Sequence, residues 1–94
     1  MPPDRLVFRV HALERMFSRG ISVEDIRRVL DAGDRIEDYP HDTPYPSELL
    51  LGWCESRPLH VVAARNKAAG ETIIVTVYEP DADRWESGFR RRKT

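Results

Sequence analysis

Three residues near the start of the chain, His11, Arg15 and Arg19, recur at i, i+4 and i+8, so a helix aligns them as one stripe. A guanidinium offers a planar fork that matches phosphate oxygens, and an imidazole titrates near neutrality. The trio therefore suits holding a phosphodiester and moving a proton at it. A solvated helix face has the same spacing, so the stripe needs other groups to meet it. His60 and Tyr78 are the next candidates. In a strand His60 points away from Leu59, Val61 and Ala63, while Tyr78 ends a face shared with Thr72, Ile74 and Thr76, opposite the apolar Ile73, Val75 and Val77. A favourable register brings imidazole and phenol to one concavity. A packed core histidine and tyrosine is the plainer alternative.

The run Arg90-Arg91-Arg92-Lys93, next to Trp85 and Phe89, has the composition of a phosphate-backbone or acidic-protein contact, and also that of a solvated end. His11, His41, His60 and Cys54 lack any ligand-motif spacing, so no metal is expected. No glycine-rich phosphate loop, Gly-x-Ser-x-Gly or His-Glu-x-x-His occurs, and no cofactor is expected.

The elements that must carry these groups are legible in part. Residues 8 to 19 read as a helix, with Val10, Leu13 and Phe17 as the apolar stripe, Ala12 and Met16 widening it and Gly20 ending it. Ser22 and Asp25 form a capping-box-like start for a second helix, whose buried stripe is Val23, Ile26, Val29 and Leu30 and whose end is Gly33. Alternation then predicts a strand over 35–39. Pro40, Pro44 and Pro46 enforce a loop that carries His41 and Asp42, and strands follow over 47–54, 58–64 and 72–78 as an antiparallel meander. Trp85 and Phe89, four apart, suit a short docked C-terminal helix or tail over 81–93. The fold class expected is α+β, an N-terminal two-helix hairpin packed on a four-stranded antiparallel sheet.

Length and composition agree with one domain over 1–94. Ninety-four residues, 40% of them hydrophobic, suffice for a single core, and the lone Cys54 excludes an internal disulfide. The longest apolar runs, Leu49–Leu51 and Val61–Ala64, are far too short to span a bilayer, so no membrane partner is expected. The stretch from Met1 to Arg5 lacks the features of a secretion signal, which predicts a cytoplasmic protein. The net charge of -1 hides a division: residues 31–56 hold Arg35 against seven acids, whereas 80–94 hold five bases against three. Both ends are basic and the middle is acidic.

Several segments together resemble a known family: His11-Ala12-Leu13-Glu14-Arg15-Met16, Arg19-Gly20-Ile21-Ser22, Asp25-Ile26, Val29-Leu30, Tyr39 to Ser47, Pro58-Leu59-His60-Val61-Val62, Ile74 to Pro80, and Trp85 with Arg91-Arg92. Their order and spacing are similar to domain-of-unknown-function family 4258, which in turn resembles the RelE-like and barnase-like ribonuclease toxins. The resemblance implies a RelE-like fold and a metal-independent endoribonuclease, the toxin of a toxin–antitoxin pair, with RNA, free or on the ribosome, and a cognate antitoxin as partners. In such enzymes the ribose 2′-hydroxyl attacks its own phosphate, helped by a base, an acid and guanidinium groups. Carried onto this chain, His11 or His60 does acid/base work, Tyr78 transfers a proton or stacks on a base, and Arg15, Arg19, Arg91 and Arg92 bind phosphate. The pI near 6.3 departs from the strongly basic surface of many such toxins. The rival expectation is a non-catalytic protein- or nucleic-acid-binding module.

Overall fold

The structure is a computed structural model and describes residues 5–94; Met1 to Asp4, part of the stretch read for a secretion signal, lie outside the described residues. In chain order the elements are β1 (Arg5–Phe8), α1 (Val10–Arg19), α2 (Val23–Ala32), β2 (Asp34–Tyr39), β3 (Ser47–Cys54), β4 (Arg57–Asn66) and β5 (Glu71–Tyr78), with a 3-10 turn at Lys67–Ala69 between the last two. Both helices and the strands after them follow the sequence pattern. The sheet does not: it has five strands in the order β1-β5-β4-β3-β2, and β1 runs parallel to β5. The expected four-stranded antiparallel sheet is thereby corrected to a five-stranded mixed one.

The correction has a local cause. Arg9 is extended (φ -67°, ψ 151°) and caps α1, so Phe8 belongs to a strand and not to the helix. The Arg9 amide then continues the ladder by donating to the Ile74 carbonyl at 3.1 Å. A four-residue edge strand that leads straight into an amphipathic helix gives periodicity too little length to register. Because β1 and β2 lie at opposite edges, the two helices must cross one face of the sheet between them, α1 over β5 and α2 over β3.

Local chemistry ends and starts these helices as the sequence implies. Gly20 takes the left-handed conformation (φ 64°) and its N–H bonds back into the last turn of α1. Ser22 and Asp25 form a reciprocal capping box, with bonds of 3.0 and 3.1 Å. The backbone bond from Ser22 holds the Asp25 carboxyl below its ordinary value, against a smaller push from burial. The buried side of α1 departs from expectation. Ala12 and Met16 face the sheet with Ile26, Val29, Leu50, Leu59, Val61, Ile74 and Val77, whereas Val10 and Phe17 are 71% and 92% exposed. Two positions of the helix face the core, and the longer apolar stripe faces out.

In β5 the alternation is broken by a register shift opposite Val62 and Ala63, so that Ile74 and Val77 both reach the helix-covered core. The expected faces of that strand are therefore mixed. The last segment, 81–94, forms no helix. It turns back on itself through one bridge between Trp85 and Arg92 and docks on the sheet face opposite the helices. Among the described residues no helix is long and apolar enough to cross a membrane.

Candidate functional site

The register of β1 stops at Phe8–Ile74, so β5 runs on from Val75 to Tyr78 beyond its parallel neighbour. Around that free stretch α1 lies on one side and the returning C-terminal segment on the other. Between them is a half-open cleft of about 500 Å³, a size that accepts a nucleotide-sized ligand. From α1 come Arg15 and Arg19; from β5, Thr76 and Tyr78; from the C-terminal segment, Arg84, Trp85 and Arg92. Four guanidiniums stand against the carboxylates of Glu79 and Asp81.

Each basic group has a structural reason for its place. Ala12 and Met16 anchor α1 on the sheet, and Arg15 and Arg19 project from the flank of that contact. Arg57, which the sequence reading overlooked, ties down the end of the helix: it donates to the carbonyls of Arg19 and Gly20 and to Glu79. A cation there also complements the helix dipole. Arg84 reaches the cleft because Asp81 folds the chain back, its carbonyl accepting from the Arg84 and Trp85 amides at 2.9 Å each. Nothing in the local spacing of Arg84 marks this, since the return depends on a turn. Among the described residues, the side chains of Arg15, Arg19 and Arg84 make no hydrogen bond or ion pair and remain available to an anion.

Beneath Tyr78 lies His60, its direct cross-strand partner. The imidazole is fully buried. Its Nε2 lies 2.9 Å from the Phe89 carbonyl and its Nδ1 lies 3.3 Å from the Tyr78 hydroxyl. A carbonyl only accepts, so Nε2 carries the proton, and in the neutral ring Nδ1 must accept from Tyr78. Burial holds the imidazole neutral by pushing its pKa down, aided by the Arg92 charge and opposed by the Phe89 carbonyl and Glu37. Burial likewise pushes Tyr78 up, so its hydroxyl keeps its proton near neutrality, and the residue lines the cleft.

Trp85, Arg92 and Glu37 close the network around His60. Trp85 meets His60 edge-on at 4.4 Å between centroids, and the Arg92 guanidinium lies 4.6 Å over the Trp85 ring. Arg92 also donates to both oxygens of Glu37, at 3.2 and 3.3 Å, and Glu37 accepts from Tyr39. Burial pushes Glu37 up, but the Tyr39 bond and Arg92 outweigh it and leave the carboxyl below its ordinary value. Tyr39 itself, buried beside that carboxylate, is pushed up to about 12. Arg90 reaches Asp34 at 2.8 Å, so the basic end of the chain is met by the acidic strand β2. The division of charge along the sequence is thus partly spent within the fold.

The structure brings together Arg15, Arg19, Tyr78 and Arg92, with His60 directly behind. It does not bring His11 there: that side chain is exposed on α1 and is not part of the cleft. Arg91 is exposed and also lies outside it. The two imidazoles share no site, and His60 is sealed by aromatic rings and not open to a ligand. Among the described residues no group of His, Cys, Asp and Glu side chains gathers in a way that could hold a metal ion.

The family described as Domain of unknown function (DUF4258) matches residues 8–79, about three quarters of the chain. The chain belongs to this family. The DUF4258 match takes in α1, both strands of the His60–Tyr78 pair and therefore Arg15, Arg19 and Tyr78, and it ends before Arg84, Trp85 and Arg92. No curated protein and no solved structure matches the chain.

Proposed function

We propose that the chain is a metal-independent endoribonuclease of the toxin kind, partnered by an antitoxin protein, which takes the RNA backbone into the arginine-rimmed cleft. The observation that carries this reading is that three unpaired guanidiniums, Arg15, Arg19 and Arg84, line one cleft together with Tyr78. Guanidinium forks neutralise a phosphate and the extra charge of its pentacoordinate transition state. Tyr78 supplies the proton acceptor through a relay: its oxygen takes the proton of the ribose 2′-hydroxyl while its own proton passes to His60 Nδ1. The 2′-oxygen bonds to phosphorus, the bond from phosphorus to the 5′-oxygen breaks, that oxygen takes a proton from water in the open cleft, and the hydroxide so formed is neutralised by the proton that returns from His60 through Tyr78. The products are a 2′,3′-cyclic phosphate and a 5′-hydroxyl. The imidazolium formed is favoured by Glu37 and disfavoured by burial. In this reading His11 has no role.

The burial of His60 favours a second reading, in which the cleft binds a phosphate backbone without cutting it. One experiment separates them. Purified protein is incubated with labelled RNA and with translating ribosomes in the presence of a chelator, beside Tyr78→Phe and Arg15→Ala/Arg19→Ala. The nuclease reading expects cleavage that falls by about 10²- to 10⁴-fold in Tyr78→Phe and weaker RNA binding in the arginine variant. Binding without cleavage by the unaltered protein would establish the second reading instead.

A further inference from the structure

The C-terminal segment lies beyond the residues that the family match covers, yet it is fastened in detail. Glu86 N donates to Arg91 O and Lys93 N to Arg84 O, both at 2.8 Å, which closes it into a loop. Arg90–Asp34 and Arg92–Glu37 pairs tie that loop to β2, and Phe89 lies 6.1 Å from Trp53 between ring centroids. At its tip Gly88 has φ 87° and Phe89 φ 60°. A left-handed phenylalanine is uncommon, and such a residue persists only where its surroundings over-determine it. The strained peptide delivers one polar atom inward: the Phe89 carbonyl, to His60 Nε2.

A free neutral imidazole can protonate either nitrogen. Were the proton on Nδ1, the Tyr78 hydroxyl would have to accept from the ring, and the Phe89 carbonyl would be left facing a bare nitrogen, an unfavourable pairing of two acceptors in a buried site. We propose that the Phe89 carbonyl is a positioning group: by accepting the Nε2 proton it holds His60 in the one neutral tautomer whose Nδ1 can take the Tyr78 proton. The C-terminal segment thus sets the proton acceptor of the cleft from behind. Its consequence for activity rests on the nuclease reading, but the tautomer itself does not.

The test uses protein labelled with nitrogen-15 in histidine, in which long-range proton–nitrogen couplings identify the protonated nitrogen of His60. Unaltered protein is expected to show Nε2–H with a bare, hydrogen-bonded Nδ1. Gly88→Val and Phe89→Pro, which cannot hold the observed tip conformation, are expected to release the tautomer into a mixture. Phe89→Leu, which keeps the carbonyl, is expected to retain it. Either tip variant suffices if the other fails to fold. An Nδ1–H ring in the unaltered protein, or a fixed Nε2–H ring in a folded tip variant, overturns the proposal. RNA cleavage is read alongside and is expected to fall about tenfold or more where the tautomer is released. A fixed tautomer in a protein that never cuts RNA sustains the Phe89 role and removes the nuclease reading; undiminished cutting with a released tautomer refutes the positioning role.

Discussion

Mild acid should destabilise this fold through His60. The imidazole is fully buried, and burial is the largest cause that lowers its pKa; Arg92 adds to it, while the Phe89 carbonyl and Glu37 oppose. Tyr78, on the other nitrogen, is protonated throughout this range. A histidine with a native pKa below its unfolded value binds more protons when unfolded, so stability is fully present above the unfolded value near 6.5 and is lost as pH falls through it. If the native ring stays neutral, the loss from pH 6.5 to 5.5 is about 1 kcal/mol, and one group cannot exceed about 1.4 kcal/mol per pH unit. For a domain this size that lowers Tm by about 4–8 °C. Glu37 and Asp25, whose carboxyls sit below their ordinary values, act only at lower pH. The assay is thermal or urea unfolding at half-unit steps from pH 7.5 to 5.5, beside His60→Gln, whose amide can donate to Phe89 and accept from Tyr78. A flat profile in the unaltered protein, or an equal slope in His60→Gln, would show that His60 is not the group responsible.

Other expectations follow from packing and solvation. At Gly52 an added Cβ would meet Val29 Cγ2 at 2.6 Å and its Cα at 3.0 Å, so Gly52→Ala must push α2 off β3 and should cost about 1–3 kcal/mol, read as a lowered urea midpoint. Met16→Ala should cost about 2–5 kcal/mol, whereas Phe17→Ser, on the outer side of the same helix, should stay within about 0.5 kcal/mol; equal costs would reverse the observed orientation of α1. Cys54 is half-buried, and burial followed by the Asp25 charge pushes its thiol up, so alkylation at pH 7.5 should be slower than for a free cysteine peptide; a faster rate contradicts that environment.

The elements bounded by strong local chemistry were legible. Gly20, the Ser22–Asp25 capping box and the proline-rich loop mark real boundaries, and the strands after Gly33 lie within two residues of their expected ends. What escaped depends on long-range partners. β1 is a strand because β5 pairs with it, and the bulge at Val62–Ala63 moves Ile74 to the core side, which no alternation rule anticipates. The orientation of α1 was misread because five apolar residues in ten allow two stripes, and the sheet selects the smaller Ala12 and Met16. At the cleft, Arg15 and Arg19 stand out by their helical spacing and Tyr78 by its place at the end of a strand face, whereas Arg92 enters only through the basic run at 90–93 and the family resemblance. Arg57 and Arg84 were not, since only the turn at Asp81 and the end of α1 give them meaning. His11 looked equivalent to its stripe neighbours until the helix turned it outward.

Whether the cleft around Tyr78 uses the ribose 2′-hydroxyl to break the RNA backbone is decided by one comparison. An RNA strand and the same strand carrying 2′-O-methyl groups throughout are offered to the protein, and binding and product ends are measured. Both are expected to bind, only the unmodified strand to be cut, with 2′,3′-cyclic phosphate ends, and Tyr78→Phe to bind but scarcely cut. An uncut RNA strand, or equal cutting of the methylated one, would contradict it.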